Sequence, residues 1–178
     1  MRGYFAIGVE QISKPMNLGN LLRSAHAFGA AFFFAIEPAF DAQAVRASDT
    51  SDAGHHLPLY TYDSIDALSL PRGCRLIGIE LTSEAVDLPS FRHPLSAAYI
   101  LGPEGGSLSP AALRRCETVV KIPTRFCVNV GVAGAIVMYD RMIGLGRFAR
   151  RPVNARAEAE PLPAHVRGAP VRRRLQRG

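Results

Sequence analysis

Continuous apolar runs alternate with segments of helical periodicity along residues 3–146 of the chain. Residues 30–36, for example, contain no polar side chain, which is typical of a strand buried on both faces of a sheet. The pattern predicts strands at residues 4–9, 30–36, 57–62, 76–81, 97–101 and 119–122, and helices at residues 18–28, 64–70, 110–116 and 129–145. This alternation predicts an α/β fold in which a mostly parallel sheet carries helices on both faces.

The chain has the size and composition of one soluble globular domain, with 178 residues, 48% of them hydrophobic and 20% charged. No apolar run approaches the roughly 18 to 20 residues of a membrane span, and the N-terminus is typical of a first strand rather than a signal peptide. Cys74, Cys116 and Cys127 lie far apart, without metal-ligand spacing. We therefore expect a cytoplasmic protein with free thiols, no metal and no membrane association.

The basic charge of the chain is concentrated at its C-terminal end. Residues 147–178 hold nine arginines against Glu158 and Glu160, a net charge of +7, whereas residues 1–146 hold 12 basic and 13 acidic residues, a net charge of −1. The end is also rich in proline and poor in periodic apolar residues, which is typical of disorder. We predict a folded domain at residues 1–148 and a basic, disordered tail at residues 149–178. The tail either binds RNA or is a solvated end without a partner.

The last predicted helix, residues 129–145, has almost no polar face. A helix that is apolar all round must be buried on several sides, and a second subunit is the expected cover in a domain of this size. Gly131 and Gly134 would let another backbone approach closely. The helix therefore predicts a homodimer; the alternative is a central helix of a monomer.

Three polar loops follow predicted strands, at the edge where open parallel sheets bind ligands. In isolation, the polar residues of each loop have an ordinary structural explanation. Asn17 and Asn129 are good helix caps, and Arg23 could lie on a solvent-exposed helix face. Glu104 could be a carboxylate in an exposed turn, and Cys127 could be a small buried side chain. The loops are Asn-Leu-Gly-Asn-Leu-Leu-Arg at 17–23, Leu-Gly-Pro-Glu-Gly-Gly at 101–106 and Ile-Pro-Thr-Arg-Phe-Cys-Val-Asn at 122–129.

Together and in this order, the three loops resemble the motifs of the SpoU/TrmH family, RNA methyltransferases of the SPOUT class that use S-adenosylmethionine (AdoMet). The resemblance covers residues 3–146 and implies an α/β fold with a C-terminal trefoil knot and a homodimer. It also implies that backbone groups of the knot loops hold AdoMet. At the matching positions these loops contain Leu81, Gly102, Ile122, Val128 and Ala133.

The same resemblance implies a set of catalytic residues: Arg23, Asn17, Glu104, Asn129 and Cys127. Arg23 matches the catalytic arginine of the family, whose guanidinium we expect to orient a phosphate beside the target ribose, because a planar fork matches phosphate oxygens. Deprotonation of Arg23 in place is the alternative. Two features depart from the family: the loop at residues 123–127 is short, and Cys127 stands where serine is usual.

The resemblance predicts methylation of a ribose 2′-hydroxyl in RNA. We favour tRNA over ribosomal RNA, because the first strand begins near residue 3 and leaves no room for the N-terminal recognition domain common in ribosomal members. One alternative is a ribosomal-RNA methyltransferase that acts on the ribose 2′-hydroxyl or on uridine N3. The other is a knotted RNA-binding protein that has lost catalysis, which the Ser-to-Cys change would support.

Overall fold

Seven strands form one sheet within the described part of the computed structural model, residues 3–39, 57–146 and 148. The strands are β1 (Tyr4–Glu10), β2 (Phe32–Ile36), β3 (Leu59–Tyr62), β4 (Arg75–Ile79), β5 (Val86–Asp87), β6 (Ser96–Leu101) and β7 (Thr118–Lys121). The α-helices within these ranges are α1 (Pro15–Phe28), α2 (Pro110–Arg115) and α3 (Val130–Leu145), and a 3-10 turn covers Leu88–Ser90.

The order of the strands across the sheet is β3-β2-β1-β6-β4-β7-β5, and every neighbouring pair is parallel. In the central pair, Tyr4 of β1 aligns with Ser96 of β6, and Val9 aligns with Leu101. Since all strands point the same way, their carboxyl ends meet at one edge of the sheet. The predicted mostly parallel α/β sheet is confirmed.

Side chains from both faces of the sheet are buried. Alternate residues of a strand point to opposite faces, so Ile7 packs with α1 and α3 while Ala6 belongs to a second cluster with α2. The first cluster includes Phe5, Ile7, Leu21, Leu22, Tyr99, Val137 and Met138. The second includes Ala6, Phe34, Ile65, Leu68, Ile100, Leu108 and Ala112. The expectation of helices on both faces is also confirmed.

Helix α1 begins earlier than its apolar periodicity indicates. Pro15 occupies the first turn, and the N-cap is Lys14, whose side chain makes no capping hydrogen bond. Asn17 is therefore inside the helix and buried, so its interpretation as an N-cap is wrong. The C-terminal end matches the prediction: Gly29 adopts φ 78°, and its backbone N–H donates to the carbonyl oxygen of His26.

Two short elements differ from the prediction. Residues 64–70 form turns instead of a helix, because Ile65 and Leu68 pack onto the sheet while Pro71 follows at once and leaves no length for a helix. Strand β5 has only two residues and carries no periodic signal that could reveal it. Most of the predicted loop at residues 37–56, and the predicted tail at residues 149–178, lie outside the described residues. Among the described helices, none is long and apolar enough to cross a membrane.

Helix α3 is buried on one side and exposed on the other. Val137 and Met138 are in the core, and Gly134 lies against α1 so closely that a Cβ there would stand 2.2 Å from Leu21 Cδ1. On the opposite side, Val132 is 50% exposed and Tyr139 48%. The helix therefore presents an apolar surface that the described residues of this chain leave uncovered.

Candidate active site

A cavity of about 460 Å³ lies at the carboxyl edge of the sheet, where the loops after β4, β6 and β7 meet the start of α1. This volume is within the range of small-ligand sites, about 300 to 1,000 Å³. The residues predicted to hold AdoMet all line it: Leu81, Gly102, Ile122, Val128 and Ala133. Four of the five predicted catalytic residues line it as well: Asn17, Glu104, Cys127 and Asn129.

Asn17 connects the other two motif residues at the mouth of this cavity. Its Nδ2 donates to Glu104 Oε1 at 3.0 Å, and its Oδ1 accepts from Asn129 Nδ2 at 2.9 Å. Asn129 in turn caps α3, because its Oδ1 accepts from the backbone N–H of Gly131 at 2.9 Å. The predicted cap at Asn129 is confirmed, and one chain of side-chain hydrogen bonds joins the first turn of α1 to the loops after β6 and β7.

Glu104 receives four hydrogen bonds and is held in a fixed position. Besides Asn17, the donors are the backbone N–H and the hydroxyl of Ser13, both at 3.1 Å from Oε2, and the backbone N–H of Lys14 at 3.1 Å from Oε1. Partial burial raises the pKa of Glu104, but the hydrogen bonds from Asn17, Ser13 and Lys14 outweigh it and keep this pKa below its ordinary value. Glu104 therefore caps α1 from a distant loop and is not a free turn carboxylate.

Cys127 and Arg23 lie in different surroundings. Cys127 is exposed and lines the cavity, so its interpretation as a buried filler is wrong. Arg23 is exposed on α1 and lines a neighbouring groove with Asn20, Ser24 and the uncovered surface of α3, but it does not line the cavity of its own chain. Asn129 borders both the cavity and the groove.

Two carboxylates at strand ends support the site and were not among the predicted residues. Glu10 ends β1 and is 2% exposed; it accepts from the backbone N–H and the hydroxyl of Ser109, both at 2.7 Å. Glu80 follows β4, and its Oε2 accepts from the backbone N–H of Leu108 at 2.8 Å. Both glutamates directly follow an apolar run, but Glu37 does so too and does not line the cavity, so this sequence signal alone does not identify them.

The loop after β6 folds back on itself so closely that only glycine fits at its start. A Cβ on Gly102 would stand 2.9 Å from the backbone nitrogen of Leu108 and 3.1 Å from the carbonyl carbon of Ser107. The rest of the cavity wall is largely apolar and includes Ile79, Leu101, Ile122, Val130 and Ala133. The cavity is therefore suited to a ligand with an apolar part and a polar part.

Comparison with known proteins agrees with this geometry. The tRNA (guanosine(18)-2'-O)-methyltransferase of Escherichia coli strain K12 is 25% identical over 138 residues, which are 74% of this chain and 60% of that protein. A mouse protein, tRNA (guanosine(18)-2'-O)-methyltransferase TARBP1, is 27% identical over 139 residues, which are 72% of this chain and 9% of its length. The chain thus spans less than two thirds of either curated relative.

Solved structures share the fold. A solved structure described as giving insights into "the 2-OH methylation of C/U34 on tRNA" has a TM-score of 0.71 and 27% identity to this chain. The match covers 82% of this chain and 98% of the solved chain. The SpoU methyltransferase AviRb from Streptomyces viridochromogenes, in complex with AdoMet, has a TM-score of 0.67 and 22% identity, with 79% of this chain and 60% of that one covered. The profile of the SpoU rRNA Methylase family matches residues 4–139. The chain therefore belongs to the SpoU rRNA Methylase family.

Proposed function

We propose that this protein is an AdoMet-dependent RNA methyltransferase that methylates a ribose 2′-hydroxyl, with tRNA as its substrate. The main support is the single cavity that collects the family's cofactor positions together with Asn17, Glu104 and Asn129. Both curated relatives above carry 2′-O-methylation of tRNA guanosine in their names. The solved structure with 27% identity is also described in terms of 2-OH methylation of tRNA.

The cavity fits AdoMet in size and chemistry. Its apolar wall, including Ile79 and Ile122, suits an adenine ring, and polar groups of Asn17 and Lys14 lie beside it for the amino-acid end. Gly102 has no side chain at this wall, and a Cβ there would collide with the backbone of Ser107 and Leu108. When bound, AdoMet supplies a methyl group that is already activated on a sulfonium.

The residues of the chain then have to align the accepting hydroxyl and provide a route for its proton. We propose that Asn17, Glu104 and Asn129 hold the start of α1 and the loops after β6 and β7 in fixed positions, since their side chains bond to one another. Arg23 would bind a phosphate next to the target ribose with its planar fork. Cys127, at the cavity wall, gives only the weak hydrogen bond of a thiol where serine would give a stronger one.

A homodimer and a knot complete the proposal. Arg23 lies in a groove beside Val132 and Tyr139, so docking of a second copy onto this surface would enclose the arginine between two subunits. The loops at residues 80–85, 102–109 and 122–129 converge on one cavity, which is where a trefoil knot of the family type would form. We assign residues 1–148 to the catalytic domain and residues 149–178 to a basic RNA-binding tail, in a cytoplasmic protein.

The test is to incubate the protein with methyl-labelled AdoMet and total tRNA, and in parallel with ribosomal RNA. The expected product is a labelled, alkali-resistant dinucleotide from tRNA, because a 2′-O-methyl group blocks alkaline cleavage. Label confined to ribosomal RNA would contradict the choice of substrate, and label on a base would contradict the ribose as the acceptor. RNA binding without any label would indicate loss of catalysis.

A further inference from the structure

Glu80 lines the cavity, and the family motifs do not include it. It is partly buried, and its two oxygens are held from two directions: Oε2 accepts from the backbone N–H of Leu108 at 2.8 Å, and Oε1 from that of Leu81 at 3.0 Å. A carboxylate has about four acceptor positions. Two of them are therefore free for a ligand in the cavity.

Two other carboxylates of this region show what a purely structural role looks like. Glu10 also anchors the start of α2, through Ser109, but it is buried and does not line the cavity. Glu104 lines the cavity, but its four hydrogen bonds use its acceptor positions. Among the carboxylates described at this edge, Glu80 is the one that combines a fixed orientation, access to the cavity and free acceptor capacity.

The surroundings of Glu80 indicate which part of a ligand it meets. Its neighbours along the chain, Ile79 and Leu81, belong to the apolar wall, and its Oε2 is 3.6 Å from where a Cβ on Gly102 would stand. The polar groups suited to an amino-acid end, Asn17 and Lys14, gather instead around Glu104. Glu80 thus lies beside the apolar wall and apart from the polar groups around Glu104, so we expect it to face the sugar next to a ring bound on that wall.

We propose that Glu80 accepts hydrogen bonds from the ribose 2′- and 3′-hydroxyls of AdoMet and so selects a ribonucleoside cofactor. A carboxylate near a strand end plays this part for the ribose of dinucleotides in other parallel-sheet folds, because a fixed carboxylate matches two neighbouring hydroxyls. The inference rests on the proposed function, since it takes AdoMet as the ligand.

The experiment measures, by calorimetry, the binding of S-adenosylhomocysteine and of its 2′-deoxy and 3′-deoxy analogues. The wild-type chain is expected to bind each deoxy analogue about ten- to a hundredfold more weakly, which is the usual effect of a hydrogen bond to a charged group. In Glu80→Gln this discrimination is expected to fall to within about threefold, because one acceptor oxygen and the charge are lost. Glu80→Asp keeps the charge but shortens the reach, and should discriminate to an intermediate degree.

Glu10→Gln is the matched control, because it removes a carboxylate that anchors the same loop outside the cavity. It is expected to lower the unfolding midpoint while leaving the discrimination between the analogues at the wild-type ratio. Equal discrimination in wild type and Glu80→Gln would overturn the proposal, even if Glu80→Gln bound every ligand more weakly, since that pattern marks a structural or ammonium-binding role. Failure of the wild-type chain to bind S-adenosylhomocysteine at all would overturn the proposed function and this inference with it.

Discussion

Replacement of Glu104 by glutamine should destabilise the protein more than an ordinary surface substitution. Four donors converge on the carboxylate, from Ser13, Lys14 and Asn17. In Glu104→Gln an amide NH₂ would face two of these donors, so about two charge-assisted hydrogen bonds are lost. Because the site is partly exposed, each of these hydrogen bonds contributes at the lower end of the usual range. The free energy of unfolding should therefore fall by about 2 to 4 kcal/mol.

The loss should also depend on pH in a defined direction. Burial raises the pKa of Glu104, but the hydrogen bonds from Asn17, Ser13 and Lys14 lower it below its ordinary value of 4.5 in the folded chain. The unfolded chain therefore binds this proton more readily, so the stabilisation is fully present above pH 4.5 and is lost as the pH falls through the lowered folded pKa. The difference between wild type and Glu104→Gln should accordingly shrink in acid.

Urea unfolding followed by circular dichroism, at about pH 7 and about pH 3.5, measures both effects. Glu117→Gln is the matched control, because Glu117 forms an exposed ion pair with Arg75, a type of contact that contributes about 1 kcal/mol or less. A Glu104→Gln variant that unfolds within about 0.5 kcal/mol of wild type at neutral pH, or a difference that stays constant in acid, would show that these hydrogen bonds do not stabilise the fold as described.

Four further substitutions or deletions test the assembled site. Arg23→Ala should abolish methyl transfer and leave S-adenosylhomocysteine affinity within about threefold; wild-type turnover would remove Arg23 from the mechanism. Cys127→Ser should retain or raise the turnover measured with labelled AdoMet, because a hydroxyl forms the stronger hydrogen bond; an inactive Cys127→Ser would give the thiol a role of its own. Val132→Glu should shift the protein from dimer to monomer in light scattering, since it places a charge on the uncovered surface of α3, and a monomeric wild type would contradict the proposed dimer. Deletion of residues 150–178, which removes eight arginines and two glutamates, should lower the slope of log K against log salt for RNA by about 2 to 4 units without changing the methylated position; an unchanged slope would make the tail a solvated end.

Periodicity alone was sufficient for most of the fold. Continuous apolar runs predict the long strands, and helical periodicity predicts α1, α2 and α3 to within a few residues of their ends. The prediction failed where an element is too short for a period, as at residues 64–70 and at β5. In such segments tertiary packing decides the conformation.

The partners of the polar side chains could not be predicted from sequence in the same way. Asn17 has the chemistry of a helix cap, and nothing local indicates that Pro15 starts the helix earlier and turns the Asn17 side chain toward Glu104, 87 residues away. Glu80 and Glu10 were overlooked because a single charge after an apolar run has many structural explanations. Only the parallel arrangement of the strands brings their ends together.

The hydrogen-bond network also divides the motif residues by role. The side chains of Asn17, Glu104 and Asn129 bond to one another and to backbone groups, and so hold the start of α1 against two loops. Arg23 and Cys127 are exposed, at the groove and at the cavity respectively, which is consistent with the substrate contacts proposed for them. Asn129 borders both sites and caps α3, so the cavity and the exposed surface of α3 share one side chain. If a second copy docks on that surface, as proposed, Asn129 would link the subunit interface to the proposed cofactor cavity.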